Sequence, residues 1–326
     1  MKKLFVSIIA IAALAACAKE ELVSVNQEAI EFGNAFVNNS TRATDPSYSA
    51  NDIDEVVVYG TVNGGQGNVV IYPGVTIYRP KTDAGQGYGD VWTCSVSQYW
   101  VAGAAYKFVG IVDGAKVGVT ETTVVNGMPT TISYTADGET DLLCQTIDLT
   151  AKTAAELADG KVNPKVAFNF GHLLSKVNFT VNNTTPGATG YSFEVKNIEF
   201  NGATAATYDV ATAKWSTATA TGETSLSNIA VTADDTTTTD VNEASNELAT
   251  EVLFLPGTYT VSFTVDILYN GKLVTTTNYP ATGTYSHELK QNNAYNFVVN
   301  VAVGEPIQFT VEKQPEWTEN TPNTLN

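Results

Sequence analysis

Basic residues are scarce in this sequence. Its 326 residues include 17 lysines and arginines against 34 aspartates and glutamates, which gives a formal net charge of -17. Proteins bind nucleic acids through basic patches that neutralise phosphates, and the sequence shows no such patch. Nucleic acid is therefore excluded as a partner. The acidic balance indicates a soluble, exposed protein that resists non-specific association.

Histidine and cysteine are rare as well, with two and three residues respectively. His172 and His287 are far apart in the sequence, and together with Cys94 and Cys144 they make no zinc-binding spacing. A Gly-x-Ser-x-Gly turn is missing, and no Cys/His pair has a credible partner residue. The sequence therefore predicts a protein without a catalytic site, a metal site or a cofactor.

Long amphipathic helical patterns are also missing. Hydrophobic residues make up 43% of the chain and charged residues only 16%, while threonine, valine, tyrosine and phenylalanine are frequent. This composition favours strands over helices. The one helical pattern lies at residues 153–159 and ends at Gly160.

From residue 54 onwards, short apolar segments alternate with turn residues, a spacing that is typical of β-sandwiches. The segments include separate strands at 191–200 and 207–215, and a hairpin that turns at Asn270-Gly271. The length suits two domains that each bury a core. With a linker near residue 160, the predicted domains span residues 43–163 and 164–326.

The N-terminus has the pattern of an export signal. Lys2 and Lys3 precede the apolar residues 4–16, which are too few to span a bilayer as a helix. The Leu-Ala-Ala-Cys sequence at residues 14–17 resembles a bacterial lipobox, which implies cleavage before Cys17 and acylation of that residue. The alternative is an ordinary secretory signal with an incidental cysteine. Residues 17–42 then form a tether and a first strand.

The first strand ends in an unusual way. Ile30, Phe32 and Phe36 fall on one face at a period of two, and the polar turn residues 38–41 follow. Next comes Arg42, one of only two arginines in the chain. A removable apolar strand that ends at an exposed arginine is expected of a subunit that exchanges strands with a neighbour. The alternative is an ordinary first strand followed by a loop arginine.

Cys94 and Cys144 both lie in strand-like segments. In the oxidising compartment that an export signal implies, they either pair as a disulfide or remain buried free thiols. The sequence leaves both alternatives open.

Several motifs occur in order along the chain. They are the lipobox ending at Cys17, Thr41-Arg42-Ala43, Phe170-Gly171-His172-Leu173-Leu174-Ser175-Lys176-Val177, Asn293-Ala294-Tyr295-Asn296-Phe297, Pro306-Ile307-Gln308-Phe309-Thr310-Val311 and Trp317. The ordered set resembles the fimbrillin family, the Mfa-like and FimA-like subunits of the type V pilus of anaerobic Gram-negative gut and oral bacteria. The resemblance covers most of the chain.

The resemblance implies an all-β fold of two tandem transthyretin-like β-sandwich domains. It also implies a non-enzymatic pilus subunit on the outer membrane and in a surface fimbrium, which supports adhesion. The expected partners are other copies of the chain, other pilus subunits and, through the lipid before cleavage, the outer membrane. A shaft position is favoured because the C-terminal tail is long enough to donate a strand.

The resemblance further implies a route of assembly. An arginine-specific protease would cut at Arg42 and release the displaced strand that carries Ile30, Phe32 and Phe36. The C-terminal tail of another copy would then fill the open groove. The donor side chains would be Ile307, Phe309, Val311 and Trp317.

A rival interpretation is a surface lipoprotein that binds glycans. Its sugar site would use exposed tryptophans, and the chain has Trp92, Trp100, Trp215 and Trp317. Sandwich cores use tryptophan as readily. The two interpretations therefore differ in whether these rings are exposed.

Overall fold

The computed structural model describes residues 28–33, 36–37, 53–63, 65, 67–79, 92–112, 118–184, 188, 190–232, 239–240 and 252–314. Within this part of the chain, strands predominate and helix is limited to one short element. The elements are β1 (Phe36–Val37), β2 (Glu55–Asn63), β3 (Asn68–Tyr78), β4 (Thr93–Cys94), β5 (Ala105–Val112), β6 (Val119–Val125), β7 (Met128–Thr135), β8 (Leu143–Thr150), α1 (Ala154–Ala158), β9 (Asn169–His172), β10 (Ser175–Asn183), β11 (Tyr191–Asp209), β12 (Lys214–Trp215), β13 (Ala220–Leu226), β14 (Ile229–Thr232), β15 (Thr239–Asp240), β16 (Val252–Phe254), β17 (Gly257–Tyr269), β18 (Lys272–Tyr279), β19 (Tyr285–Leu289), β20 (Ala294–Val301) and β21 (Gln308–Gln314). The predicted all-β fold is confirmed.

Sheet 1 is formed mainly by the first part of the chain, which is the part before the predicted linker near residue 160. Its strand β9 follows that linker, whereas β6 and β7 belong to sheet 3. The seven strands of sheet 1 run in the order β1-β9-β8-β5-β2-β3-β4. Alternate side chains of these strands point inward, because successive residues of a strand face opposite sides. They form core 1, in which the rings of Tyr72, Phe108 and Phe168 are buried.

Sheets 2 and 3 pack together in the second part of the chain. Sheet 2 has the order β15-β10-β20-β21, with β16 also paired to β10. Sheet 3 is built around β11 and β17, and the hairpin predicted at Asn270-Gly271 joins β17 to β18. Core 2 lies between the sheets, and its rings include those of Phe179, Phe200 and Phe297.

The 19-residue strand β11 connects the two parts of the structure. Its first half pairs with β17, and its last residues pair with β7, which precedes the predicted linker. Conversely, β9 lies after the linker in the sequence but pairs in sheet 1 with β8, which lies before it. Because β1 also pairs with β9, three strand pairs cross residues 163 and 164. The domain boundary placed there stays a prediction.

A third cluster, core 3, fills the junction between the two parts. It contains Ile111 and Tyr134 from the first part, and Leu173, Tyr208 and Leu253 from the second. The Trp215 ring of the second part also meets the Tyr134 ring of the first part edge-on, with 6.1 Å between the centroids. The two parts of the chain therefore share a packed interface.

The single helix of the described residues lies where the sequence predicts it. Thr153 caps its N-terminus: the Thr153 hydroxyl accepts from the backbone N–H of Glu156, and the Glu156 carboxylate accepts from the backbone N–H of Thr153. This reciprocal pair satisfies two amides that a helix start leaves unpaired. Gly160 follows the end of α1 with a φ of 81°, a conformation that favours glycine.

Candidate strand-exchange groove

Residues 28–33, which we call the closing segment, lie between two other segments, residues 98–100 and the residues that lead into β9. On one side the segment runs antiparallel to residues 98–100. The Ile30 N–H donates to the Gln98 carbonyl oxygen at 2.8 Å, and the Trp100 N–H donates to the Glu28 carbonyl oxygen at 3.0 Å. The residues that follow β4 are therefore joined to the N-terminus of the described chain.

On its other side, the closing segment runs parallel to the residues that lead into β9. The Gly33 N–H donates to the Val166 carbonyl oxygen at 2.8 Å, and the Val166 N–H donates to the Glu31 carbonyl oxygen at 2.9 Å. Strand β1 continues this parallel pairing alongside β9. The segment thus bridges both ends of sheet 1 and closes it around core 1.

Alternation along the segment divides it into an apolar and a polar side, as the sequence predicts. Ile30 and Phe32 are each only 7% exposed and belong to core 1, whereas Ala29 and Glu31, which alternate with them, are exposed. The Phe32 ring meets the buried ring of Tyr72 edge-on, with 5.5 Å between the centroids. Removing the segment would open a groove onto buried aromatic rings. The third predicted residue, Phe36, lies in β1, and its backbone pairs with Asn169.

A polar anchor at one end of the groove was missed by sequence reasoning. The backbone N–H and the side-chain Nδ2 of Asn163 both donate to Glu28 Oε2, at 3.1 and 2.8 Å. The Asn163 Oδ1 accepts from the Lys152 N–H at 2.8 Å, which fixes the orientation of the amide. In the sequence Asn163 reads only as a turn residue before a proline, because its partner is 135 residues away.

A second polar contact lies on the exposed side of the segment. Lys165 Nζ is 3.0 Å from Glu31 Oε2, and both side chains are about two-thirds exposed. Exposed pairs of this kind contribute little to stability. The closing segment is therefore held chiefly by its buried side chains, its backbone hydrogen bonds and Asn163.

Strand β21, at the edge of sheet 2, contains two predicted donor residues, Phe309 and Val311, and begins one residue after Ile307. It pairs antiparallel with β20 of its own chain, from Asn300 opposite Gln308 to Ala294 opposite Gln314. Ile307, Phe309 and Val311 are partly buried against core 2. The rings within about 6.3 Å of the Phe309 ring belong to Phe179, Phe263, Tyr279, Tyr285 and Phe297.

Several predicted site residues lie outside the described residues. They are the lipidation residue Cys17, the cleavage residue Arg42 and the donor residue Trp317. The other arginine of the chain, Arg79, is described and is 6% exposed. Its Nε and Nη2 both donate to the Ile53 carbonyl oxygen, at 3.0 and 2.6 Å.

The disulfide alternative for Cys94 and Cys144 is wrong, because the structure has both residues as free thiols. Cys94 ends β4 and Cys144 lies in β8, and the sheet order puts β3, β2 and β5 between those strands. Four steps across a sheet amount to about 19 Å. A disulfide needs Cα atoms within about 7 Å of each other. The free-thiol alternative holds.

The described tryptophans do not form an exposed sugar platform. Trp92 and Trp100 are 7% and 5% exposed within core 1. Trp215 packs edge-on against the rings of Tyr134 and Tyr208. The glycan-binding interpretation depended on exposed tryptophan rings, and none of these three rings is exposed.

His172 is the most buried histidine of the described residues. It ends β9, and its Nδ1 is hydrogen-bonded to Asp141 Oδ2 with both side chains almost fully buried. Among the residues that the structure describes, no group of three His, Cys, Asp or Glu side chains is placed to hold a metal ion. No helix in the described ranges is long and apolar enough to cross a membrane.

The chain is similar to known proteins over most of its length. The model of the fimbrillin-like family matches residues 41–314. A structure from Bacteroides uniformis described as a cell adhesion protein is 16% identical, with 90% of this chain and 98% of that one covered and a TM-score of 0.50. A fimbrial protein from Bacteroides vulgatus is 14% identical, with coverages of 81% and 93% and a TM-score of 0.56. At these identities the likeness concerns the fold. Comparison with curated protein sequences finds no match.

Proposed function

Because the chain belongs to the fimbrillin-like family, we propose that it is a structural subunit of a surface fimbrium and assembles by strand exchange. In this proposal the closing segment is removed by proteolysis, and a strand of another subunit takes its place. The subunit is non-enzymatic and supports adhesion as part of the polymer. The placement of the closing segment is the observation that carries the proposal.

The energetics of the closing segment fit a removable strand. Burial of Ile30 and Phe32 contributes about 3–6 kcal/mol by transfer estimates. The four backbone hydrogen bonds on its two sides contribute about 1 kcal/mol each in net terms. After its removal, two unpaired strand edges and an apolar groove would face water, and such edges pair readily with other chains.

One of the two arginines, Arg79, is protected from proteolysis by its place in the fold. Arg79 is buried, bound to a backbone carbonyl and stacked 4.9 Å above the Trp92 ring. A protease requires an exposed, extended chain, so this arginine is protected. We propose that an arginine-specific protease cuts at Arg42, nine residues after the closing segment ends at Gly33. In the precursor, acylated Cys17 would hold the chain at the outer membrane.

The C-terminal tail supports a shaft position. Strand β21 is an edge strand and pairs only with β20 among the described strands. Its inward face, which packs against core 2 of its own chain, repeats the apolar period of the displaced strand. A tail that leaves β20 would therefore bury similar surface in the groove of a neighbour. Trp317, beyond β21, would add a further apolar contact with the neighbour.

Substitution of Arg42 by alanine tests the proposal. We expect the R42A chain to stay lipidated, uncleaved and monomeric, because the closing segment remains in its groove. An R79K chain is the control, and it should be processed and polymerise as the unmodified chain does. Gel electrophoresis of surface fractions without boiling separates the outcomes. A normal ladder of polymers from R42A would refute cleavage at this residue as the trigger.

A further inference from the structure

The closing segment and residues 305–310 are identical at three of six positions. Residues 28–33 read Glu-Ala-Ile-Glu-Phe-Gly, and residues 305–310 read Glu-Pro-Ile-Gln-Phe-Thr. We infer that the groove selects residues 305–310 of a second copy in a single register, in which Glu305, Ile307 and Phe309 take the places of Glu28, Ile30 and Phe32. This inference rests on the proposed strand exchange, and it adds a residue-by-residue register and a polar selectivity determinant.

The two apolar positions of the groove are matched by identical side chains. In this register Ile307 replaces Ile30 and Phe309 replaces Phe32, so the volume inside core 1 is unchanged. A core accepts a side chain of the same shape without strain, whereas changes of one or two methylenes are felt. The Phe309 ring would then meet Tyr72 edge-on, as the Phe32 ring does.

Asn163 makes the position of Glu28 selective for a carboxylate. The side chain of Asn163 is oriented by Lys152, and two N–H groups converge on one carboxylate oxygen. A strand that refills the groove covers these donors again, because Asn163 is only 7% exposed when the groove is filled. Buried donors without a partner are costly, and a charged acceptor restores the stronger kind of hydrogen bond. In the proposed register that acceptor is Glu305.

The proline of the donor falls where the groove needs no N–H. The hydrogen bonds that flank Ala29 are made by Ile30 and Trp100, and Ala29 faces Tyr99 as a non-hydrogen-bonded pair. The N–H of such a residue points away from the partner strand. Pro306, which takes the place of Ala29, therefore loses no hydrogen bond. The segment's donors to the groove are the amides of Ile30 and Gly33, and Ile307 and Thr310 supply amides at both positions.

The remaining differences are small. Gln308 replaces Glu31, whose ion pair with Lys165 is exposed and contributes little. Thr310 replaces Gly33, where an added Cβ would lie 3.3 Å from the Ala167 Cβ. Accommodating it requires a shift of a few tenths of an ångström.

Other registers that keep the same face inward fit worse. A shift of two residues in one direction puts Glu305 in the place of Ile30, which would bury a carboxylate in an apolar core. The opposite shift puts Ile307 at the carboxylate position beside Asn163. It also puts Val311 into the space of Phe32 and leaves a cavity.

Inter-chain disulfide formation tests the register. In the proposed arrangement Pro306 lies directly opposite Tyr99 of the neighbouring copy, at a separation that suits a disulfide. A chain with Tyr99→Cys and a chain with Pro306→Cys are mixed, treated with an arginine-specific protease and oxidised. In the matched control, Gln308→Cys replaces Pro306→Cys and reports the register shifted by two residues. Each variant chain is also oxidised alone, without the other, to control for disulfides that involve the native Cys94 and Cys144.

We expect inter-chain disulfides, seen on non-reducing gels, from the Tyr99→Cys and Pro306→Cys mixture and from no other. Disulfides from the Gln308→Cys mixture instead would overturn the register while leaving strand exchange intact. Polymers that form without a disulfide in either mixture would also overturn the register, because either the opposite shift or another strand then fills the groove. If the unmodified chain does not polymerise after cleavage, the proposed function fails together with this inference.

Discussion

Asn163 donates its backbone N–H and its side-chain N–H to the same carboxylate oxygen of Glu28, at 3.1 and 2.8 Å. The two residues are 135 positions apart, and their contact joins the first described residue of the chain to the segment before β9. The closing segment is thus recognised by a specific polar contact in addition to its buried side chains. This combination gives the groove both affinity and register.

We predict that Asn163→Ala weakens the attachment of the closing segment. The variant loses the side-chain hydrogen bond to the Glu28 carboxylate and the hydrogen bond from the Lys152 N–H, and the cost should be about 1–2 kcal/mol of unfolding free energy. Native-state hydrogen exchange should show faster exchange at the Ile30 and Gly33 amides. The control is Lys165→Ala, which removes only an exposed ion pair and should change stability by less than about 0.5 kcal/mol. Equal exchange in both variants would contradict the anchoring role.

We also predict that Phe32→Ala destabilises the precursor strongly. Phe32 is 7% exposed and packs on the buried Tyr72 ring, so truncation leaves a cavity in core 1. The expected loss is about 3–4 kcal/mol in urea unfolding. Glu31→Ala, one residue away on the exposed side, should cost less than about 0.5 kcal/mol. A small effect at Phe32 would mean that the closing segment is not an integral part of core 1.

The apolar pattern of the N-terminal strand was predictable, but its partners were not. A period of two indicates that Ile30 and Phe32 share a buried face, because alternation is a local property of strands. The pairing with residues 98–100 on one side and Val166 on the other depends on the path of the intervening chain. The role of Asn163 could not be predicted either, because its contact with Glu28 also depends on the path of the intervening chain.

Strand β11 shows a second limit. The sequence predicts strands at 191–200 and 207–215, because the small residues between them lack apolar alternation. In the structure β11 continues through this stretch, supported by β13 and β7 on either side. Tertiary pairing overrides a weak local preference here. The short hairpin at Asn270-Gly271 was predictable because its turn residues adopt the positive φ angles that Asn and Gly favour.

Cys144 should be unreactive in the folded protein. Burial raises the pKa of its thiol to about 12, so almost none is present as the reactive thiolate at pH 8. Alkylation by iodoacetamide should be slower than in the urea-unfolded chain by on the order of a thousandfold. Mass spectrometry after timed quenching measures the rate. Rapid labelling, or a mass showing a bond between Cys94 and Cys144, would contradict the structure.

Acidification should loosen the second part of the structure through His287. Burial beside the rings of Tyr295 and Phe297 lowers the pKa of His287 from 6.5, and neighbouring Glu288 offsets this only partly. Because the unfolded chain binds the proton more readily, stability falls as the pH drops below about 6.5 towards the folded-state pKa. Urea unfolding at pH 7.5 and 5.5 measures the change. His287→Phe should reduce this pH dependence, and an unchanged dependence would exclude His287 as its source.

The central claim is that the mature subunit has lost its own closing segment and holds a strand of its neighbour. N-terminal sequencing of the subunit from purified surface appendages tests this most directly, combined with gel electrophoresis of the same sample before and after boiling. We predict a mature chain that begins at Ala43 and a detergent-resistant ladder that collapses on boiling. A surface protein that retains residues 28–33 and migrates as a monomer in both samples would contradict the account.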